Sequence, residues 1–208
     1  MGKTKRLVAV VAAGIISLGA LALLQETSSA GGVVARAELH NRAGAPVGTV
    51  VFKKHGHEII GIAKVTLPVA TTQFRGFHIH ANDVDNFPAT TDGNPADGCQ
   101  GNFTSVDGHW ALSGQQHGNH AGDLPVLMRD PASGYAEAEF VVGKFQPGDV
   151  IGKAVVVHAD ADNYANIPTR YVSTNGPSTG GADSTTLSNG DAGGRYACGV
   201  IVSAADED

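Results

Sequence analysis

The stretch YAEAEFVV, Tyr135–Val142, alternates polar and apolar side chains, an order that suits an extended strand with one wet face. Glu137 and Glu139 are expected to face water, and Ala136, Ala138 and Phe140 to face inward. Val33–His40, Val47–Lys53, Glu58–Leu67, Val150–His158 and Tyr196–Ser203 alternate likewise or are rich in β-branched residues. Turn signals such as NRAGAP, KKHGHE and QPGD separate them, and 28 glycines suit many turns and bulges. Beyond the first thirty residues no stretch has a helical period. The pattern predicts an all-β sandwich or flattened barrel.

The N-terminus is basic (Met-Gly-Lys-Thr-Lys-Arg), then apolar from Leu7 to Leu24, then QETSSA. This order predicts a secretory signal peptide over residues 1–30, cut after Ala30, with 31–208 as one exported domain. The apolar run has 18 residues, the lower limit of a membrane span, so an uncleaved anchor is the alternative. Export would place the protein in the periplasm or at the cell exterior. Losing Lys3, Lys5, Arg6 and Glu26 moves the formal charge from −6 to −8. That balance argues against nucleic acid or an anionic membrane surface as partner. The two cysteines, Cys99 and Cys198, read as one disulfide in an exported chain, with two buried thiols as the alternative.

Two long irregular stretches, Ala81–Trp110 and Ala159–Gly194, interrupt the strands, and loops of such length are usually functional or disordered. Six of the nine histidines fall in or beside them: His78 and His80 in GFHIH, His109, His117 and His120 in DGHWALSGQQHGNHAGD, and His158 in VVVHAD. His-x-His in an extended segment puts both imidazoles on one face, with Phe77 and Ile79 on the other. Four imidazoles, from His78, His80, His109 and His158, would suit Cu(II), which prefers a tetragonal nitrogen set. His117, His120 and Asp123 with a nitrogen of His109 make a His₃Asp set of the kind zinc takes. One ring serves both metals if both its nitrogens bind. His40, His55 and His57 fall outside this set, KKHGHE reads as a solvated turn, Trp110 as packing, and Asp107 has no role.

In order along the chain, GFHIH, GHW…HGNHAGDL, VVVHADADN and GDAGGRYACGVI resemble the motifs of copper–zinc superoxide dismutases, specifically the exported bacterial ones. The resemblance runs from about Ala35 to Ser203. It implies an eight-stranded Greek-key flattened barrel or sandwich with two long functional loops. It implies copper on His78, His80, His109 and His158, and zinc on His109, His117, His120 and Asp123, with His109 as the bridge. By the same resemblance Asp162 is a carboxylate that orients ligand imidazoles, Arg195 is the active-site arginine, and Cys99–Cys198 is the family disulfide.

The implied reaction turns two superoxide ions and two protons into oxygen and hydrogen peroxide by alternate reduction and oxidation of the copper. His109 is implied to let go of reduced copper and hand a proton to the peroxide. Such an enzyme defends against superoxide outside the cytoplasm. Two departures stand out. Tyr171–Gly194 contains no Lys or Arg, while Asp183 and Asp191 add negative charge, so steering of the anion must be weaker or come from elsewhere, with Arg170 as a candidate. The loops are also longer than in eukaryotic relatives, which leaves monomer and homodimer both open. A copper-storage module, a copper-only enzyme and a plain adhesion sandwich are the competing readings.

Overall fold

The computed structural model describes residues 32–69, 72–82, 98–99, 102–172 and 180–204. The expected signal peptide, residues 1–30, lies outside the described residues, as do segments 83–97 and 173–179 of the two long loops.

Strands β1 (Val33–Asn41), β2 (Pro46–His55) and β3 (Glu58–Thr66) form a meander. A short β4 (Phe74–Arg75) leads through Gly76 into β5 (Phe77–His80), and β6 (Leu127–Met128) precedes β7 (Tyr135–Val142). β8 (Ala154–His158), β9 (Arg195–Val200) and β10 (Val202–Ser203) complete the set. The result is an eight-stranded curled antiparallel sheet in the order β5-β8-β9-β1-β2-β3-β7, with β10 also on β1. The two edge strands, β5 and β7, are linked by a ribbon. β4 pairs with β6 and runs on into β5, while Arg129 beyond β6 pairs with Ala136 of β7.

All six strand segments expected from the sequence are present, with two corrections: Tyr196–Ser203 is broken at Ile201 into β9 and β10, and one boundary moves. Val150 closes a one-turn helix, α1 (Pro147–Val150), and the strand expected from Val150 begins only at Ala154. The cause is a capping box in which Gln146 and Asp149 satisfy each other's backbone N–H, with proline at the first turn. A second four-residue helix, α2 (Thr186–Asn189), lies in the second long loop. Neither helix is long enough to show a period in the sequence.

In β7, Glu137 and Glu139 are exposed and Ala136 is buried, as the alternation requires. The main core contains Leu39, Phe52, Phe77, Ile79, Leu127 and Ile201, each at 0 % exposure. Each such side chain contributes roughly 1.5–3 kcal/mol by leaving water. A second cluster packs Phe103 and Val106 of the first long loop on Ala154, Val156 and Cys198, which face away from the main core. β5 and β8 are therefore covered on both sides. Cys99 and Cys198 form a disulfide across a sequence separation of 99, which holds that loop on β9. A closure of this length stabilises the fold by roughly 4–5 kcal/mol in the chain-entropy model.

Candidate metal centre

The face of β5 and β8 turned away from the main core carries the site. Phe77 and Ile79 enter the core, so His78 and His80 stand on the opposite face, paired across β8 with Val156 and Ala154. His158 ends β8 opposite Arg195. The free edge of β5 is taken up by the loop that holds the other candidates: His78 pairs with Asp123 and His80 with His109. Ile79 donates its N–H to Gly122 O at 2.8 Å and accepts from Trp110 N at 2.8 Å. The sheet edge thus sets where the loop's ligands stand.

His78, His80, His109 and His158 bring one potential donor atom each within 4.8 Å of one another. Fixed acceptors settle which nitrogen is free. His80 Nδ1 donates to Asp107 O at 2.8 Å and His158 Nδ1 to Gly193 O at 3.1 Å, and a carbonyl only accepts. Their Nε2 atoms are left facing each other at 3.3 Å. His78 donates from Nε2 to Asp162 at 2.6 Å, which leaves Nδ1 buried without a partner. His109 Nε2 is likewise buried and unpartnered, and its ring lies 4.0 Å from that of His78 and 5.0 Å from that of His80. Buried polar atoms are paired as a rule, so two orphaned nitrogens in a nest of imidazoles fit a cation better than an empty cavity.

The second set is organised by Asp123. Its Oδ2 accepts from the backbone N–H of Gly118 at 2.7 Å and of His120 at 3.0 Å. Its Oδ1 has no hydrogen-bond donor but lies 3.4 Å from His109 Nδ1, 3.3 Å from His117 Nδ1 and 3.4 Å from His120 Nδ1. His109 Nδ1 and His117 Nδ1 are 3.2 Å apart. Ligands about 2.0–2.1 Å from a tetrahedral zinc stand about 3.3–3.4 Å from one another. The four spacings fit that ion.

Grouping by mutual reach alone also places His78 with His109, His117 and Asp123. His78 Nε2 is committed to Asp162, however, and its free Nδ1 belongs with the first set. His120, whose Nδ1 is orphaned beside Asp123, completes the second.

Asp162 joins the two sets. Its Oδ2 accepts from His78 Nε2 at 2.6 Å and its Oδ1 from His117 Nε2 at 2.8 Å. Burial alone would raise its carboxyl, but the hydrogen bonds from His117 and His78 hold it well below the usual range. Burial likewise works against Asp123, and the imidazoles of His109 and His117 beside its Oδ1 outweigh it, holding the carboxyl well below the usual range. Desolvation takes His158 down to about 3 and His78 down to about 4, the latter against the pull of Asp162. His80 is driven well below its ordinary value by burial and by the charges of His109 and Arg195. These rings are neutral and ready for a cation at neutral pH. His117 is the exception: burial lowers it, but the carboxylates of Asp123 and Asp162 beside its two nitrogens raise it to about 9.

Arg195 is held by the carbonyls of Phe103 and Asp107, to which its two Nη groups donate. Burial lowers its pKa and the charge of Asp107 partly restores it. Asp107, without a role in the sequence, has a carbonyl shared by Arg195 and His80. Arg42, also unmarked there, donates from Nε to Arg195 O at 3.0 Å, and the two line a cleft of about 380 Å³ with Asn41, Ala43, Ala159 and Tyr196. Arg170, a candidate source of steering, stacks on Tyr171 at 4.7 Å.

Two further supports come from outside the histidine motifs. Lys144 Nζ donates to His120 O at 2.9 Å, and Tyr164 stacks on His117 at 6.3 Å between ring centroids. His55 and His57 are exposed at the β2–β3 turn, and His40 lies on β1 opposite Cys198. Trp110 packs against Phe145, ring centroids 5.6 Å apart.

Residues 47–201 match the family model described as copper/zinc superoxide dismutase. A Cu-Zn superoxide dismutase of Mycobacterium tuberculosis is 39% identical over 165 residues, which cover 76% of this chain and 65% of that protein. The chain thus spans just under two thirds of that relative's length. A Cu-Zn superoxide dismutase of Brassica juncea is 30% identical over 164 residues, 74% of this chain and 88% of its own. Among solved structures, a superoxide-dismutase-like protein of Bacillus subtilis superposes with a TM-score of 0.54 at 20% identity, over 79% of this chain and 96% of the other. At that identity the likeness speaks for the fold.

Proposed function

The chain belongs to the copper/zinc superoxide dismutase family, and from that premise we propose that it is a secreted enzyme that disproportionates superoxide to oxygen and hydrogen peroxide. The observation that carries this is His109: its Nδ1 faces the Asp123 set, while its Nε2 is orphaned among His78, His80 and His158. In this reading His78, His80, His109 and His158 hold copper, and His109, His117, His120 and Asp123 hold zinc. Copper held there would supply the one-electron redox chemistry. The chain's residues do the rest. Arg195, fixed by two carbonyls, offers a rigid cationic fork to the anion. With Nδ1 committed to the Asp123 set, Nε2 is the nitrogen of His109 that can take up a proton and pass it to the product. Asp162 keeps His78 and His117 in the tautomers that leave their Nδ1 atoms free.

Action outside the cytoplasm is part of the proposal. The basic-then-apolar N-terminus and the Cys99–Cys198 disulfide support it. The test is to express residues 31–208, measure bound copper and zinc, and assay superoxide disproportionation before and after chelation. Activity that disappears on chelation and returns with both metals is expected. One bound copper per chain without activity would instead leave a copper-storage protein.

A further inference from the structure

At Asp107 the backbone takes φ 57° and ψ −155°, a region open to glycine and strained for a residue with a Cβ. Several bonds hold it there. Its N–H donates to Thr104 O at 3.3 Å, closing the short 3₁₀ turn Thr104–Val106, and its carbonyl accepts from His80 Nδ1 at 2.8 Å and from Arg195 Nη2. The turn puts the carbonyl where both donors reach it. The same residue carries a carboxylate, covalently tied to the carbonyl that Arg195 grips. Its negative charge therefore lies within Coulomb reach of the guanidinium, in keeping with its effect on Arg195. The second loop, which has no Lys or Arg from Tyr171 to Gly194, supplies no positive charge to offset it.

We propose that Asp107 is a positioning residue with two opposed effects: its strained backbone seats His80 and Arg195, and its carboxylate weakens the pull of Arg195 on an anionic substrate. The second half rests on the superoxide reading above; the first does not.

Three variants separate the halves: Asp107→Gly, Asp107→Ala and Asp107→Asn. In thermal unfolding of the metal-free chain, the Gly variant is expected to melt about 2–6 °C above the Ala variant, because only glycine is at ease at this φ and ψ. At an unstrained position glycine is the less stable of the two. An Ala variant that melts at or above the Gly variant therefore overturns the backbone half. With both metals bound, Asp107→Asn is expected to raise the second-order rate roughly two- to fivefold at low ionic strength and to steepen its fall with added salt. A rate and salt slope equal to or below those of the wild type overturn the charge half. A fully loaded wild type without dismutase activity defeats the functional reading instead, and the melting comparison still decides the backbone half.

Discussion

Asp162 and His78 meet at 2.6 Å, and neither side chain has any solvent exposure. The other oxygen of Asp162 holds His117 at 2.8 Å, so a single carboxylate orients one ring from each donor set. Asp162→Ala should therefore weaken both metals together, each by about 10–100-fold. Titration of the metal-free variant with each ion, against the wild type, checks this. An effect confined to one metal would contradict the shared role.

Gly190 sits at φ 64°, and a side chain there would run into Asp162 Oδ1 and His117 Nε2. Gly190→Ala is expected to separate that pair and lower zinc affinity nearly as far as the loss of Asp162 does. Zinc content after dialysis against a competing chelator reads the effect.

Asp123 behaves differently from Asp162. It touches His109, His117 and His120, and it secures the loop through the N–H groups of Gly118 and His120. Asp123→Ala should cost zinc about 100-fold or more in affinity and copper less than about tenfold. Metal analysis that shows equal losses of both would refute the division into two sets.

Arg42 adjoins Arg195 and lines a cleft with it, whereas Arg170 stacks on Tyr171. Arg42→Ala is expected to slow the reaction roughly two- to fivefold at low salt and to flatten its salt dependence, while Arg170→Ala leaves the profile as it is. Stopped-flow rates over a range of ionic strength discriminate between them.

The metal-free chain should be most stable near pH 6.5. His78 and His158 have folded pKa values of about 4 and about 3, so below 6.5 the unfolded chain binds protons that the folded chain refuses, and stability falls with pH. Asp162 and Asp123, depressed when folded, add to that loss below the ordinary carboxylate range. His117 acts in the opposite sense: its contribution is complete below 6.5 and is lost as pH rises through about 9. These four groups act on the acid side against one on the alkaline side, so the acid limb should be the steeper. Denaturant midpoints from pH 4 to 10 test the shape.

His78, His80 and His158 were legible in the sequence because His-x-His on a strand and a histidine at a strand end need only a period of two to be placed; the loop ligands His109, His117, His120 and Asp123 were implied by the family resemblance. Strands such as β7 were legible for the same reason. The two-residue strands β4 and β6 are too short to carry a period. Asp107 and Phe103 escaped notice because they act on Arg195 through backbone carbonyls, which every residue has. Arg42 escaped because its place depends on pairing between distant segments: Asn41 lies opposite Ala197, which carries the next turn to the start of β9. Lys144 reaches the loop from beyond β7 in the same way.

The backbone bonds along β5 have a consequence apart from ligand placement. Phe77, Ile79 and Ala81 are bonded to Leu124, Gly122, Trp110 and Gly108, all from the loop that carries His109 to Asp123. That loop is therefore the cover over one rim of the sheet. If it lifts, β5 presents unpaired N–H and C=O groups flanked by Phe77 and Ile79, the surface on which chains join rim to rim into aggregates. Ions held by His109, His117, His120 and Asp123 would pin the loop and thereby keep that rim covered.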